Sequence, residues 1–206
     1  MWHDVKQNTE AWDELRLGKA TGSKAGVWMA NDGKAFGEPA KDYALQLALE
    51  IETGRKAEFS FTNAHMERGH EQEPVARMMY EDEFFASVTN GGFFDCDDYG
   101  DSPDGLVGTD GVVEIKSVTA AVHYANLRRG APDPAYKWQT ASHLDCSGRA
   151  WVDWLSYCSD FPRGRQLIRY RVTREDFASE IERLRARREA FLALVRDTLS
   201  TLKVAA

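Results

Sequence analysis

Long apolar runs are missing from this chain, cysteine is scarce, and basic residues are outnumbered by acidic ones. No stretch of the 206 residues is apolar enough for long enough to span a bilayer, and neither a secretory leader nor a low-complexity tract stands out. The expectation is a soluble protein of the cytoplasm with no membrane partner. Its three cysteines, Cys96, Cys146 and Cys158, are odd in number and widely spaced without metal-ligand spacing, so they read as reduced thiols. A formal net charge of −7 argues against coating nucleic acid by bulk electrostatics, although an enzyme with a local basic groove stays open. No internal repeat is visible, and the length suits one domain over residues 1–206 with a sizeable core.

What is present changes character along the chain. The first part reads as helical: a short amphipathic helix near residues 9–17, a turn at Gly18, a helix start at Thr21-Gly22-Ser23, an apolar helix over 43–51 and another over 63–80. Short β-branched or aromatic runs follow at 84–88, 92–94, 105–107, 112–117, 150–157 and 166–172, which read as one mixed sheet interrupted by a helix around 135–144. A long terminal helix opens at Thr173-x-x-Asp176, which resembles a capping box. Its apolar residues Phe177, Ile181, Leu184, Phe191, Val195 and Leu202 recur at helical spacing and so belong to the core. The fold class is α/β. Charge is unevenly spread, with Asp95, Asp97, Asp98, Asp101 and Asp104 in one stretch and Arg163, Arg165, Arg169, Arg171 and Arg174 in another; solvated faces are the plain reading of such runs.

The chemistry concentrates in Ser102-Pro103-Asp104-Gly105-Leu106-Val107-Gly108-Thr109-Asp110-Gly111-Val112-Val113-Glu114-Ile115-Lys116, a hairpin whose second strand carries an acid and a lysine two residues apart. Side chains at i and i+2 of a strand share a face, so Glu114 and Lys116 project together while Val113 and Ile115 face the core. Asp104, in the Pro-Asp-Gly turn, can fold back against them. Crowded carboxylates repel unless a cation sits between them, and hard oxygen ligands suit Mg²⁺ or Mn²⁺. Such a set hydrolyses phosphodiesters, the metal acidifying a water and the lysine orienting it or neutralising developing charge. The competing reading is a surface hairpin with Glu114 and Lys116 as a solvated pair.

Four blocks together, Ala11-Trp12-Asp13-Glu14-Leu15-Arg16-Leu17-Gly18-Lys19-Ala20-Thr21-Gly22-Ser23, Arg68-Gly69-His70-Glu71-Gln72-Glu73-Pro74-Val75-Ala76-Arg77, the hairpin, and Tyr136-Lys137-Trp138-Gln139, resemble the phage lambda exonuclease family of viral recombinases. They stand in that family's order across residues 11–139. The resemblance implies a PD-(D/E)XK nuclease core, a central mixed β-sheet flanked by helices. It implies Asp104 and Glu114 as metal carboxylates with the carbonyl of Ile115 as a third ligand, Lys116 as the catalytic lysine, and Glu73 as a supporting glutamate on a helix. It implies Arg16 and Ser23 as a pocket for a 5′-terminal phosphate, Met66 as an apolar wedge at the strand ends, and Gln139 as the first of two glutamines. Ala141 stands at the second glutamine position, which departs from the family pattern. A guanidinium and a hydroxyl do suit a phosphate on chemical grounds, but Arg16 at a helix end and Ser23 as a capping hydroxyl are the plain alternatives.

The activity implied is a Mg²⁺- or Mn²⁺-dependent 5′→3′ exonuclease on double-stranded DNA ends that leaves 3′ overhangs. The partner implied is a phage-type single-strand annealing protein, in host cytoplasm if phage-encoded, and the assembly a homotrimeric ring threaded by DNA. An endonuclease on the same core would need Asp104, Glu114 and Lys116 but no phosphate pocket. A non-catalytic DNA-binding relative would have no reason to keep crowded carboxylates.

Overall fold

The computed structural model describes residues 1–31, 33–57 and 64–204 and, within them, every side chain except those of residues 64–68 and 70. The chain runs β1 (Trp2–His3), α1 (Glu10–Arg16), β2 (Ala20–Thr21), a 3-10 turn (Gly22–Lys24), α2 (Ala25–Met29), α3 (Glu38–Thr53) and α4 (Ala64–Phe84). Five short strands follow: β3 (Val88–Asn90), β4 (Phe93–Cys96), β5 (Tyr99–Asp101), β6 (Gly105–Val107) and β7 (Gly111–Ser117). The chain closes with α5 (Ala120–Arg129), α6 (Lys137–Ser147), β8 (Trp151–Tyr157), β9 (Leu167–Thr173) and α7 (Ala178–Val204).

The strands form two sheets rather than one. β3-β6-β7-β8-β9 make the central mixed sheet, antiparallel except for the parallel pair β7–β8, and β1-β4-β5-β2 make a small second sheet. The expected strand at 92–94 belongs to the second sheet, whose two edge strands, β1 beside β4 and β2 beside β5, are two residues each, too short to leave a periodic pattern. Of the expected strand at 84–88, only Val88 lies in a strand, and Phe84 is the last residue of α4. Tyr80 and Phe84 continue its helical spacing and pack together, with ring centroids 5.3 Å apart. The helix stops where Phe85 takes a left-handed φ of 50°, and β3 begins only at Val88. The helix start expected at Asn63 lies outside the described residues. The start expected at Thr21-Gly22-Ser23 is the 3-10 turn that feeds the short α2.

α5 has no apolar stripe because its buried residues are His123 and Asn126, which both hydrogen-bond Ser156 of β8. A hydrophobic pattern cannot reveal a helix that buries polar groups. Thr173 and Asp176 exchange hydrogen bonds as expected, the Asp176 N–H donating to Thr173 Oγ1 at 3.1 Å, but they close a turn ahead of the terminal helix, which begins at Ala178, and Phe177 and Leu202 are only part-buried. Ile181, Leu184, Phe191 and Val195 are buried in the large apolar cluster between α7, α3 and α6, and the buried Tyr43, Ala44, Leu47 and Ala48 of α3 recur at three- and four-residue spacing. Phe191 stacks on Trp28 and Tyr43 at 5.4 and 5.5 Å.

β7 separates two apolar clusters. Val112 belongs to the large cluster with α3, α6 and α7, whereas Val113 and Ile115 pack with Ala76 and Tyr80 of α4. Each fully buried large side chain contributes about 1.5–3 kcal/mol, so β7 is pinned from both faces. The arginine run is not simply solvated: Arg171 makes two bonds to the buried Asp153, at 2.7 and 2.8 Å, and Arg169 lies over Phe84. All three cysteines are free thiols.

Candidate active site

The central strand gathers the site. β8 pairs with β7 along all seven residues, whereas β6 pairs with it only as far as Val113. Along residues 114–117 that edge of β7 has no strand partner among the described residues. There the Ile115 N–H donates to Asp104 Oδ2 at 2.6 Å. A strand residue's carbonyl points to the same edge as its own N–H, so the Ile115 carbonyl faces Asp104 as well. The turn bearing Asp104 is fixed from behind. Gln7 Nε2 donates to the Pro103 carbonyl and Trp12 Nε1 to Ser102 Oγ, each at 2.8 Å. Gly91 approaches so closely that a Cβ there would lie 1.7 Å from the Pro103 oxygen, which only glycine permits.

Within this cluster Glu114 is the most heavily engaged carboxylate. It is 2% exposed, and its Oε1 accepts from Lys116 Nζ at 2.5 Å and from Gln139 Nε2 at 2.7 Å. Its Oε2 faces His143 Nε2 at 3.0 Å, an ion-pair contact in which the ring N–H is not aligned with the oxygen. The other ring nitrogen, His143 Nδ1, stands 2.7 Å from Asp101 Oδ2. Burial pushes the Glu114 carboxyl upward, but the charges of Lys116 and His143 outweigh it and hold the group at about 2. Burial likewise disfavours a charged His143, yet Asp101 and Glu114 raise it to about 10. Lys116 is raised too, because Glu114 and Asp104 overcome its desolvation, and it lies 4.7 Å from the Tyr136 ring centroid.

Asp104 is the exception. Burial, then the negative charges of Glu114 and Glu73, push its carboxyl well above the usual range, and Lys116 and the Ile115 N–H offset this only in part. A cation placed among these oxygens would relieve that repulsion. Among the described residues no three His, Cys, Asp or Glu side chains form a metal cage. The available set is two carboxylates and a main-chain carbonyl, with water left to complete the shell, which is how Mg²⁺ is commonly held.

Arg16 and Ser23 lie apart from this cluster, in a cavity of about 380 Å³ that Trp12, Thr21, Lys24 and Tyr43 also line. The Arg16 guanidinium stacks on Trp12, 3.9 Å from the ring centroid, and pairs with no carboxylate among the described residues. Burial draws it below its ordinary value, offset in part by Tyr43 and Asp101. Met66 lies outside the residues whose side chains are described. Cavity and carboxylates share residues 101–104: Ser102 holds Trp12, and Asp101 holds His143.

The structure therefore brings Asp104, Glu114, Ile115, Lys116, Glu73 and Gln139 together and places Arg16 and Ser23 in a cavity apart from them. Asp101 and His143 escaped the sequence reading. Asp101 was one member of an acidic run, and the available signal for His143 was its place four residues after Gln139, on the same helix face. Ala141 is fully buried in the large apolar cluster, so an amide there would face the core.

Residues 11–150 match the family model of the YqaJ-like viral recombinase domain. No curated protein sequence gives a significant match. Among solved structures, an alkaline exonuclease (LHK-Exo) from Laribacter hongkongensis superposes with a TM-score of 0.84 at 33% identity, over 96% of this chain and 97% of that one. The same enzyme in complex with dAMP gives 0.84 at 34% identity, again over 96% and 97%. A phage related exonuclease from Haemophilus somnus 129PT gives 0.68 at 12% identity, over 94% and 99%, which speaks to the fold alone. The fold is thus the expected α/β nuclease core, a mixed sheet flanked by helices. With more than half its length matching the family model, this chain belongs to the YqaJ-like viral recombinase family.

Proposed function

We propose that the chain, as a single nuclease domain over residues 1–206, is a 5′→3′ exonuclease on double-stranded DNA ends that leaves 3′ overhangs. The observation that carries this reading is the shared segment 101–104, which ties a buried carboxylate–lysine cluster to a separate cavity whose arginine lacks a carboxylate partner. One group would cleave, the other would hold the end. The kinship with an alkaline exonuclease, one structure of which holds dAMP, supports it.

Asp104, Glu114 and the carbonyl of Ile115 are the residues that would hold Mg²⁺ or Mn²⁺. When bound, such an ion polarises the phosphate and acidifies a water. Lys116, fixed by Glu114 and charged throughout the ordinary pH range, neutralises charge developing on the phosphate and orients the attacking water. Gln139 holds Glu114, and Glu73 adds negative charge beside Asp104. Arg16, already stacked and desolvated, offers a planar fork to a 5′-phosphate, with the Ser23 hydroxyl adding a donor. Met66 would serve as the wedge between strand ends. The product overhang suits a phage-type single-strand annealing protein in the host cytoplasm, and a homotrimeric ring would let an acidic chain retain duplex DNA through a basic channel. No helix among the described residues is long and apolar enough to cross a membrane.

Linear duplexes labelled at either end, beside a nicked and a covalently closed circle, test the reading. Loss of the 5′-labelled strand from its end, with the closed circle untouched, is expected. Cutting of the closed circle would replace the exonuclease reading with an endonuclease on the same core.

A further inference from the structure

Helix α6 places a hydrogen-bond donor on one oxygen of the Glu114 carboxylate and an ion-pair partner on the other. Gln139 and His143 stand four residues apart and so share a helix face; the first reaches Glu114 Oε1 at 2.7 Å and the second faces Oε2 at 3.0 Å. The terminal torsion of a glutamate is soft and nearly two-fold. A donor on one oxygen leaves the carboxylate plane free to turn, whereas a group on each oxygen fixes it.

His143 is itself immobilised. Its side chain is fully buried, and swinging the ring would break the 2.7 Å contact between Nδ1 and Asp101 Oδ2. Asp101 is 2% exposed and accepts the Ser102 N–H on Oδ1 at 3.0 Å. Gly22 crowds that same oxygen so tightly that a Cβ would lie 2.4 Å from it. Asp101 is thus held from the backbone and in turn holds His143 against Glu114.

Resting on the metal-dependent reading above, we infer that His143 is a positioning residue: anchored by Asp101, it forms with Gln139 a two-point clamp that fixes the plane of the Glu114 carboxylate for a divalent cation. Oε1 already accepts from both Gln139 and Lys116, whereas Oε2 meets His143 alone and keeps a lone pair for the ion. The clamp also explains why Ala141 is tolerated, since positions 139 and 143 do the holding and 141 faces the apolar core.

The test is Mn²⁺ binding by calorimetry, with thermal melting as a check on folding and steady-state kinetics on a 5′-phosphorylated duplex. Groups that orient a ligand typically govern metal affinity by about 10–100-fold. His143→Leu should weaken Mn²⁺ binding within that range and lower kcat while leaving KM for the duplex nearly unchanged. His143→Gln, which retains a donor for Oε2, should recover part of the loss. Asp101→Asn should weaken binding in the parent protein and add nothing in the His143→Leu background. A folded His143→Leu protein with parental Mn²⁺ affinity overturns the clamp; if that variant does not fold, parental affinity in both His143→Gln and Asp101→Asn overturns it. Failure of the underlying reading is separate: Asp104→Asn would then leave Mn²⁺ binding intact.

Discussion

Replacing Arg16 by alanine tests the division of labour between its cavity and the carboxylate–lysine cluster. The guanidinium lies on Trp12 at 3.9 Å, lines a cavity of about 380 Å³ and has no carboxylate partner among the described residues, so its donors are open to an anion. A charge-assisted hydrogen bond contributes about 1.5–3 kcal/mol. At about 1.4 kcal/mol per decade, a 5′-phosphorylated duplex should be digested on the order of ten- to a hundredfold faster than its 5′-hydroxyl counterpart. Arg16→Ala should erase most of that preference by slowing the phosphorylated substrate alone. The stacking on Trp12 is also lost, and a desolvated cation–π contact is worth about 2 kcal/mol, but that loss is the same whichever substrate is offered and bears on stability rather than on the preference between two ends. Initial rates on the two duplexes, below saturation, give the ratio directly. If the variant keeps the full preference, or slows both substrates equally, Arg16 is a helix-end arginine serving the fold and the 5′ polarity loses its support.

Lys116→Ala should reduce hydrolysis by about 10²–10³ while DNA-end binding, followed by fluorescence anisotropy without metal, persists. Asp104→Asn or Glu114→Gln should each abolish activity and weaken Mn²⁺ binding, and Glu73→Gln should do the same to a smaller degree; unchanged affinity in the first two places the ion elsewhere. Because His143 is raised from 6.5 to about 10, with Asp101 and Glu114 outweighing its burial, its stabilisation is complete below about pH 6.5 and lost as pH rises through about 10. Melting temperatures of the metal-free protein should therefore show an alkaline decline that His143→Gln lacks, and identical pH profiles would contradict the ion-pair assignment. Sedimentation should give a mass near three chains, with long duplexes digested processively; a monomer that releases DNA after a few cuts would remove the ring without touching the nuclease.

By itself the sequence determined what local chemistry governs. The alternation through Val113 to Lys116 commits one face of a strand to Glu114 and Lys116 and the other to Val113 and Ile115, and the Pro-Asp-Gly turn returns Asp104 to the same place. Helical spacing in the terminal segment likewise commits Ile181, Leu184, Phe191 and Val195 to burial before any partner is known. Tertiary structure decided the rest. Phe84 has the aromatic character of a strand residue, but packing on Tyr80 keeps it in a helix. Strands of two residues in the second sheet exist only because β4 and β5 are there to pair with them. His143 and Asp101 are separated by 42 residues, and His143 and Glu114 by 29, so no periodicity links them. Local patterns record the face a side chain takes on its own element, whereas the partner it meets is set by how elements pack, and the second carboxylate contact of His143 belongs wholly to that packing.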